Sequence, residues 1–146
     1  KDGFTNPGGP RILTPHPGEF RRMTGLEGVV PRANLEAIAV ERAGQWGATI
    51  ILKGSSSYIT DGGSWHHNTT GNPGMATGGA GDVLTGVCAA LLAVLPSPLN
   101  AARLAAYVHG LAGDIAAEEL GQIGTTALDI CQALPKAFKE VAKYRG

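Results

Sequence analysis

The run Asn72-Pro73-Gly74-Met75-Ala76-Thr77-Gly78-Gly79-Ala80-Gly81-Asp82 passes without interruption into an apolar segment at residues 82–95. A glycine-dense stretch cannot hold a regular element by itself, because each glycine loses more backbone freedom on ordering than any other residue. Its use is to let backbone turn sharply or approach something closely. Six of the 22 glycines fall between 71 and 86, so the excess is local rather than a fibrous repeat, which would need glycine at every third position. The segment that follows reads as a helix apolar nearly all round, hence a buried one, and Pro96 and Pro98 break it. The chain must therefore fold around a tight turn that feeds a helix N-terminus inside a core.

The remainder supplies that core. Residues 11–14 read as a short strand stopped by Pro15 and Pro17, and Glu19-Phe20-Arg21-Arg22-Met23 as a short helix ending before Gly25. Residues 31–46 carry Leu35, Ile38, Ala39 and Ala43 at helical spacing, with Pro near the start and Gly44 and Gly47 near the end. Thr49-Ile50-Ile51-Leu52 reads as a buried parallel strand. Two short strands at 57–60 and 64–67 flank Asp61-Gly62-Gly63, a hairpin signal. A long helix is expected over 99–120, and a third, capped by Thr125 or Thr126, over 127–134. The tail bearing Lys136, Lys139, Lys143 and Arg145 reads as a solvated helix face, and residues 1–10 as a loose lead-in. Strands alternate with helices and then give way to helices alone, so the class is α/β.

Composition excludes several functions. Twelve basic residues balance twelve acidic ones in 146, which argues against a basic nucleic-acid-binding face, and the length suits one domain or a large piece of one. The longest apolar run, 87–95, is too short to cross a bilayer. Cys88 and Cys131 lie far apart in apolar surroundings and read as two reduced, buried thiols of a cytoplasmic protein. The chain opens Lys1-Asp2-Gly3, without Met and without a charged-then-apolar leader, which reads as a fragment or processed product with no signal peptide in view.

Chemistry is expected at the glycine run. Gly78, Gly79, Ala80 and Gly81 can turn successive N–H groups toward one point, and the helix end adds partial positive charge, an anion hole for phosphate or a transferring phosphoryl group. Asp82, in the first helical turn, is held ionised by the same terminus and is placed to take a proton from a hydroxyl attacking that phosphorus. No Gly-Lys-Ser/Thr follows, so the run is not a Walker loop, and Leu84 stands where a dinucleotide fingerprint needs its third glycine. His16 lies in a turn after a strand, on the side where open α/β sheets receive ligands. Lys53 follows a strand, and either a phosphate contact or a solvent-facing position suits it. His109 reads as a packed, hydrogen-bonded histidine. His66 and His67 alternate faces and do not converge as metal ligands. Asp114, Glu118 and Glu119 read as helix-surface charges.

Thr14-Pro15-His16-Pro17-Gly18-Glu19, Leu52-Lys53-Gly54, the run 72–86 and Val108-His109-Gly110-Leu111-Ala112-Gly113-Asp114 occur in an order and at intervals that resemble the ADP-dependent NAD(P)H-hydrate dehydratases, members of the ribokinase-like superfamily. The resemblance covers residues 12–134. It implies the C-terminal half of a three-layer α/β/α domain, with residues 1–146 a single partial domain. It also implies repair of NADH or NADPH hydrated at the nicotinamide ring, by phosphorylation of the hydroxyl with ADP (ATP in some relatives) and loss of phosphate. Carried over by motif, Asp82 would be the base and touch the hydrate, and His16 would contact the hydrated cofactor. Gly81 would bind nucleotide phosphate, and Lys53, Gly54, Ser55, Ser56 and Ser57 would form part of the nucleotide site. Mg2+ is expected with the nucleotide, without an assigned ligand. Nothing in the chain matches the family's N-terminal half, so that half is an expected partner, and an exposed sheet edge favours association, a second copy included. A small-molecule kinase of the same superfamily and a non-catalytic nucleotide-binding fragment are the competing readings.

Overall fold

A computed structural model describes residues 8–143. Strand β1 (Ile12–Leu13) is followed by helices α1 (Pro17–Thr24) and α2 (Arg32–Trp46), then strands β2 (Thr49–Leu52), β3 (Tyr58–Thr60) and β4 (Trp65–His67). A single 3-10 turn, Pro73–Met75, precedes helices α3 (Ala80–Val94), α4 (Pro98–Leu120) and α5 (Ala127–Ala142). The sheet order is β1-β2-β3-β4. β1 runs parallel to β2, pairing Ile12 with Thr49, and the other two pairings are antiparallel, with Ile51 opposite Ile59 and Ile59 opposite His66. The sheet is mixed, so β2 is parallel to only one of its neighbours.

Alternation along β2 sends its side chains to two cores. Ile50 and Leu52 point with Tyr58 toward Phe20, Leu35, Ala39 and Ala43 of α1 and α2. Ile51 and Ile59 point the other way, onto Leu84, Val87 and Cys88 of α3 and Ala102, Ala105 and Ala106 of α4. Ile50, Ile51 and Leu52 are fully buried, each worth about 1.5–3 kcal/mol relative to exposure. A third cluster, with Val108, Ala112, Ile130 and Ala137, joins α4 to α5.

Element ends follow local chemistry. α1 is capped by His16, whose Nδ1 accepts from the N–H groups of Gly18 (3.0 Å) and Glu19 (3.2 Å), while Glu19 accepts from the His16 N–H at 2.7 Å. This is a capping box with imidazole in place of a hydroxyl. α5 starts on the Thr126–Asp129 box, and Ser97 caps α4.

Four expectations need correction. α3 buries Leu84, Val87 and Cys88, but Ala89, Ala90, Ala93 and Val94 are exposed, Val94 by 72%. Uniform apolarity marks a helix meant to be covered, and among the described residues only one face has a cover. α5 continues through Pro135 to Ala142; its fourth turn stays in register because Ala137 packs against α4. Cys131 lies on the exposed side of α5, so only Cys88 is buried. Asp114 is no free surface charge, as described below. Arg145 and residues 1–7 lie outside the described residues.

Candidate functional site

A cavity of about 640 Å³ opens where β2 ends, α1 and α3 begin, and α4 passes beneath. α1 contributes His16 and Pro17; the loop after β2 contributes Lys53, Gly54, Ser55 and Ser57. The run before α3 contributes residues from Asn68 to Thr77, α3 itself Ala80, Gly81 and Leu84, and α4 Ala106, His109 and Gly110. Thus four sequence-separated motifs meet at one place, at the C-terminal end of β2.

The approach to α3 is built on backbone. Gly79 is the N-cap with φ of +89°, a conformation that favours glycine. The N–H of Ala80 makes a long contact of 3.4 Å with the carbonyl of Thr77, and those of Asp82 and Val83 donate to the Gly79 carbonyl at 3.0 and 3.2 Å. The N–H groups of Gly78, Gly79 and Gly81 have no backbone acceptor among the described residues. Three open amides at a helix N-terminus attract an anion. Asp82, the third residue of α3, is exposed, and its carboxylate has no hydrogen-bond or ion-pair partner among the described residues. It stands one residue beyond Gly81, outside the walls of the cavity.

Lys53 supplies the cation. Its N–H donates to the Pro15 carbonyl at 2.9 Å, and its ammonium lies 3.8 Å from Glu19. A Cβ at position 81 would come within 3.1 Å of Lys53 Nζ, so the ammonium reaches the first turn of α3. The Glu19 carboxylate is held below its ordinary pKa, first by the His16 N–H and further by Lys53. The loop that carries Lys53 is fastened by Arg32, whose guanidinium donates to the carbonyls of Lys53 (2.9 Å), Leu52 (3.0 Å) and Ser56 (3.2 Å). Arg32 was not foreseen from sequence; its place at the first residue of α2, facing a strand end, was the available signal.

His109 is packed and hydrogen-bonded, and it also forms part of the cavity wall. Its Nε2 lies 2.9 Å from the carbonyl of Ala80, which can only accept, so Nε2 carries the proton. Burial pushes its pKa below the ordinary value, the Ala80 bond opposes this, and nearby Lys53 adds to the depression. Neutral His109 thereby ties α4 to the first residue of α3. Of the remaining expected residues, Ser56 turns away from the cavity, and its hydroxyl donates to the Asn68 carbonyl at 2.9 Å. His66 and His67 point to opposite faces, His67 toward Glu36 at 3.7 Å. No group of three or more metal-ligating side chains occurs among the described residues.

The profile of the family described as NAD(P)H-hydrate dehydratase matches residues 1–136. The chain belongs to that family. Within it, the chain is 47% identical over 131 residues to the bifunctional NAD(P)H-hydrate repair enzyme of Thermofilum pendens, covering 89% of this chain and 25% of that protein. Its identity to the ADP-dependent (S)-NAD(P)H-hydrate dehydratase of Bacillus subtilis is 39%, covering 90% of this chain and 48% of the relative. The crystal structure of the ADP/ATP-dependent dehydratase of Bacillus subtilis, co-crystallised with ATP/Mg2+ and soaked with CoA, superposes with a TM-score of 0.83 at 36% identity. That match covers 94% of this chain and 51% of the other. A ribokinase-like superfamily protein of Enterococcus faecalis matches with a TM-score of 0.71 at 36% identity, so the architecture is ribokinase-like. The chain thus spans between a quarter and about half of the length of these family relatives.

Proposed function

We propose that this chain forms the nucleotide-binding and phosphoryl-transfer part of an ADP-dependent NAD(P)H-hydrate dehydratase, acting in the cytoplasm. The observation that carries the reading is the meeting of Lys53, the open amides of Gly78, Gly79 and Gly81, and Asp82 at one helix N-terminus. A nucleoside diphosphate, with ATP as the alternative donor, lies against residues 53–57. The terminal phosphoryl group faces the glycine amides and the Lys53 ammonium. These fixed donors stabilise the charge that spreads over the transferring group. His16 and Asp82 face the hydrated nicotinamide. Asp82 takes the proton of the ring hydroxyl as its oxygen attacks phosphorus and the bond to the nucleotide's bridging oxygen breaks, leaving AMP when ADP is the donor. The C–O bond of the phosphate ester then breaks, phosphate leaves with the electron pair, and loss of a proton from the adjacent ring carbon restores the double bond of NADH or NADPH.

Magnesium fits this site only as a companion of the nucleotide. The described residues hold no converging cluster of ligating side chains, and Mg2+ readily binds through phosphates and retained waters, so no step is routed through it. The exposed apolar side of α3 and the edge of β1 are covered by the family's other half, which would enclose Asp82 and complete the hydrate pocket.

The test uses the full-length protein with hydrated cofactor, ADP and magnesium. Reduced-nicotinamide absorbance returns, with AMP and free phosphate formed in equal amounts. A stable phosphorylated product would indicate a small-molecule kinase instead. Nucleotide binding without any product from either ADP or ATP would leave only a binding role.

A further inference from the structure

Between Ala106 and Asp114, α4 is a track on which the run leading to the glycine cradle lies. The Thr70 hydroxyl donates to the Tyr107 carbonyl at 2.8 Å, and Asn68 Nδ2 donates to the Ala106 carbonyl at 3.2 Å. The approach leaves no room for side chains on the track. A Cβ at Gly110 would sit 2.2 Å from Thr70 Oγ1 and 2.7 Å from its backbone, and one at Gly113 would sit 2.2 Å from Met75 Sδ. One residue further on, the Asp114 carboxylate closes the track. One oxygen accepts from the Gly71 N–H at 2.9 Å, the other from Asn72 Nδ2 at 2.9 Å. The amide oxygen of Asn72 in turn accepts from the Gly74 N–H at 3.0 Å.

We propose that Asp114 is a positioning residue for the anion cradle. By fixing Gly71 and Asn72 together, it sets where the Pro73–Met75 turn begins, and hence where the amides of residues 78–81 stand when phosphate arrives. This rests on the nucleotide reading of the cradle. The chemistry requires a carboxylate, because two donors must be met by two acceptors at once. Asparagine at 114 keeps one acceptor but sets its NH2 against that of Asn72. Asn72 cannot turn over to compensate without abandoning Gly74. The helix does not need the carboxylate for its own packing, since Val108, Ala112 and Ala116 carry its buried face.

The experiment compares wild type, Asp114→Asn, Asp114→Ala and Asn72→Ala in the full-length protein, with ADP as the calorimetric probe and amide hydrogen exchange as the local one. Asp114→Ala should weaken ADP binding about 10-fold and speed exchange across 68–81 by about 10-fold or more, with 32–46 unchanged. Asp114→Asn should fall between it and wild type. Asn72→Ala, which reaches the clamp from the loop side and spares the helix should Asp114→Ala not fold, should behave like it, and the double variant should be no worse than either. Unchanged ADP affinity with unchanged exchange in both single alanine variants would overturn the assignment, as would a rise in exchange that spreads equally to 32–46. If wild type itself takes up no ADP while Asp114→Ala still frees 68–81, the nucleotide reading falls and the clamp stands.

Discussion

Helices α2 and α4 pack against opposite faces of the same strands, β2 and β3, yet they do so with different materials. α2 inserts Leu35, Ile38, Ala39 and Ala43 into a core with Phe20, and shows water a charged side that includes Glu41 and Arg42. α4 buries Ala101, Ala102, Ala105, Ala106, Val108, Gly110, Ala112, Gly113 and Ala116, of which only Val108 is larger than alanine. The space left at Gly110 and Gly113 is filled by Thr70, backbone included, and by Met75. Where α2 excludes water with methyl groups, α4 brings another segment's main chain to within hydrogen-bonding distance. The lesson is that a helix rich in buried Ala and Gly is a platform, and its placement beneath the glycine run ties the cradle to the fold.

The sharpest break between the two sides should come from carboxylates. Asp82→Asn in the full-length protein is expected to lower turnover by about 10²- to 10⁴-fold with ADP affinity little changed, since only the proton acceptor is lost. Glu41→Gln on α2, whose partners are surface side chains, should leave turnover within error. Steady-state kinetics with calorimetry decides this, and normal turnover in Asp82→Asn would remove the base assignment.

A smaller contrast uses glycine. Gly110→Ala forces a methyl group into Thr70, backbone included, and should destabilise by about 1–3 kcal/mol. Gly44→Ala on α2 meets nothing within 4 Å and should stabilise by about 0.5–1 kcal/mol through helix propensity. Urea unfolding of both variants measures the pair. Equal signs would mean that α4 is not a close-contact platform.

The order of elements was readable because it is written in local patterns: the Gly25 and Gly47 stops, the β-branched run 49–52, the Asp61-Gly62-Gly63 turn and the Thr126 cap. The motif residues His16, Lys53, Gly54, Ser55, Ser57, Ala80 and Gly81 do converge on one cavity. What stayed illegible was pairing at a distance. Arg32 reaching the carbonyls after β2, and Asp114 clamping Gly71 and Asn72, join residues some 20 and 40 positions apart, and no periodicity carries such information. Asp114 resembled an ordinary surface charge because Glu118, one helical turn on, and Glu119 continue the same acidic set. The exposed side of α3 misled for another reason: apolarity reports that a surface is to be buried, not which segment buries it.

The smallest expected effect concerns pH, again on the α4 side. His109 donates Nε2–H to the Ala80 carbonyl, and burial holds its pKa below the ordinary value of about 6.5. The unfolded chain therefore takes up a proton at this position before the folded one does. Stability is complete above that ordinary value and declines as pH falls toward the depressed one, because the unfolded state binds more protons in that window. Glutamine at 109 can donate to the same carbonyl without titrating. His109→Gln should thus show a shallower loss of Tm on acidification below about pH 6.5 than wild type, with near-equal values at pH 8. Parallel curves would mean that His109 takes up its proton as readily in the fold as in the unfolded chain, and that its burial against the Ala80 carbonyl does not disfavour the charged form.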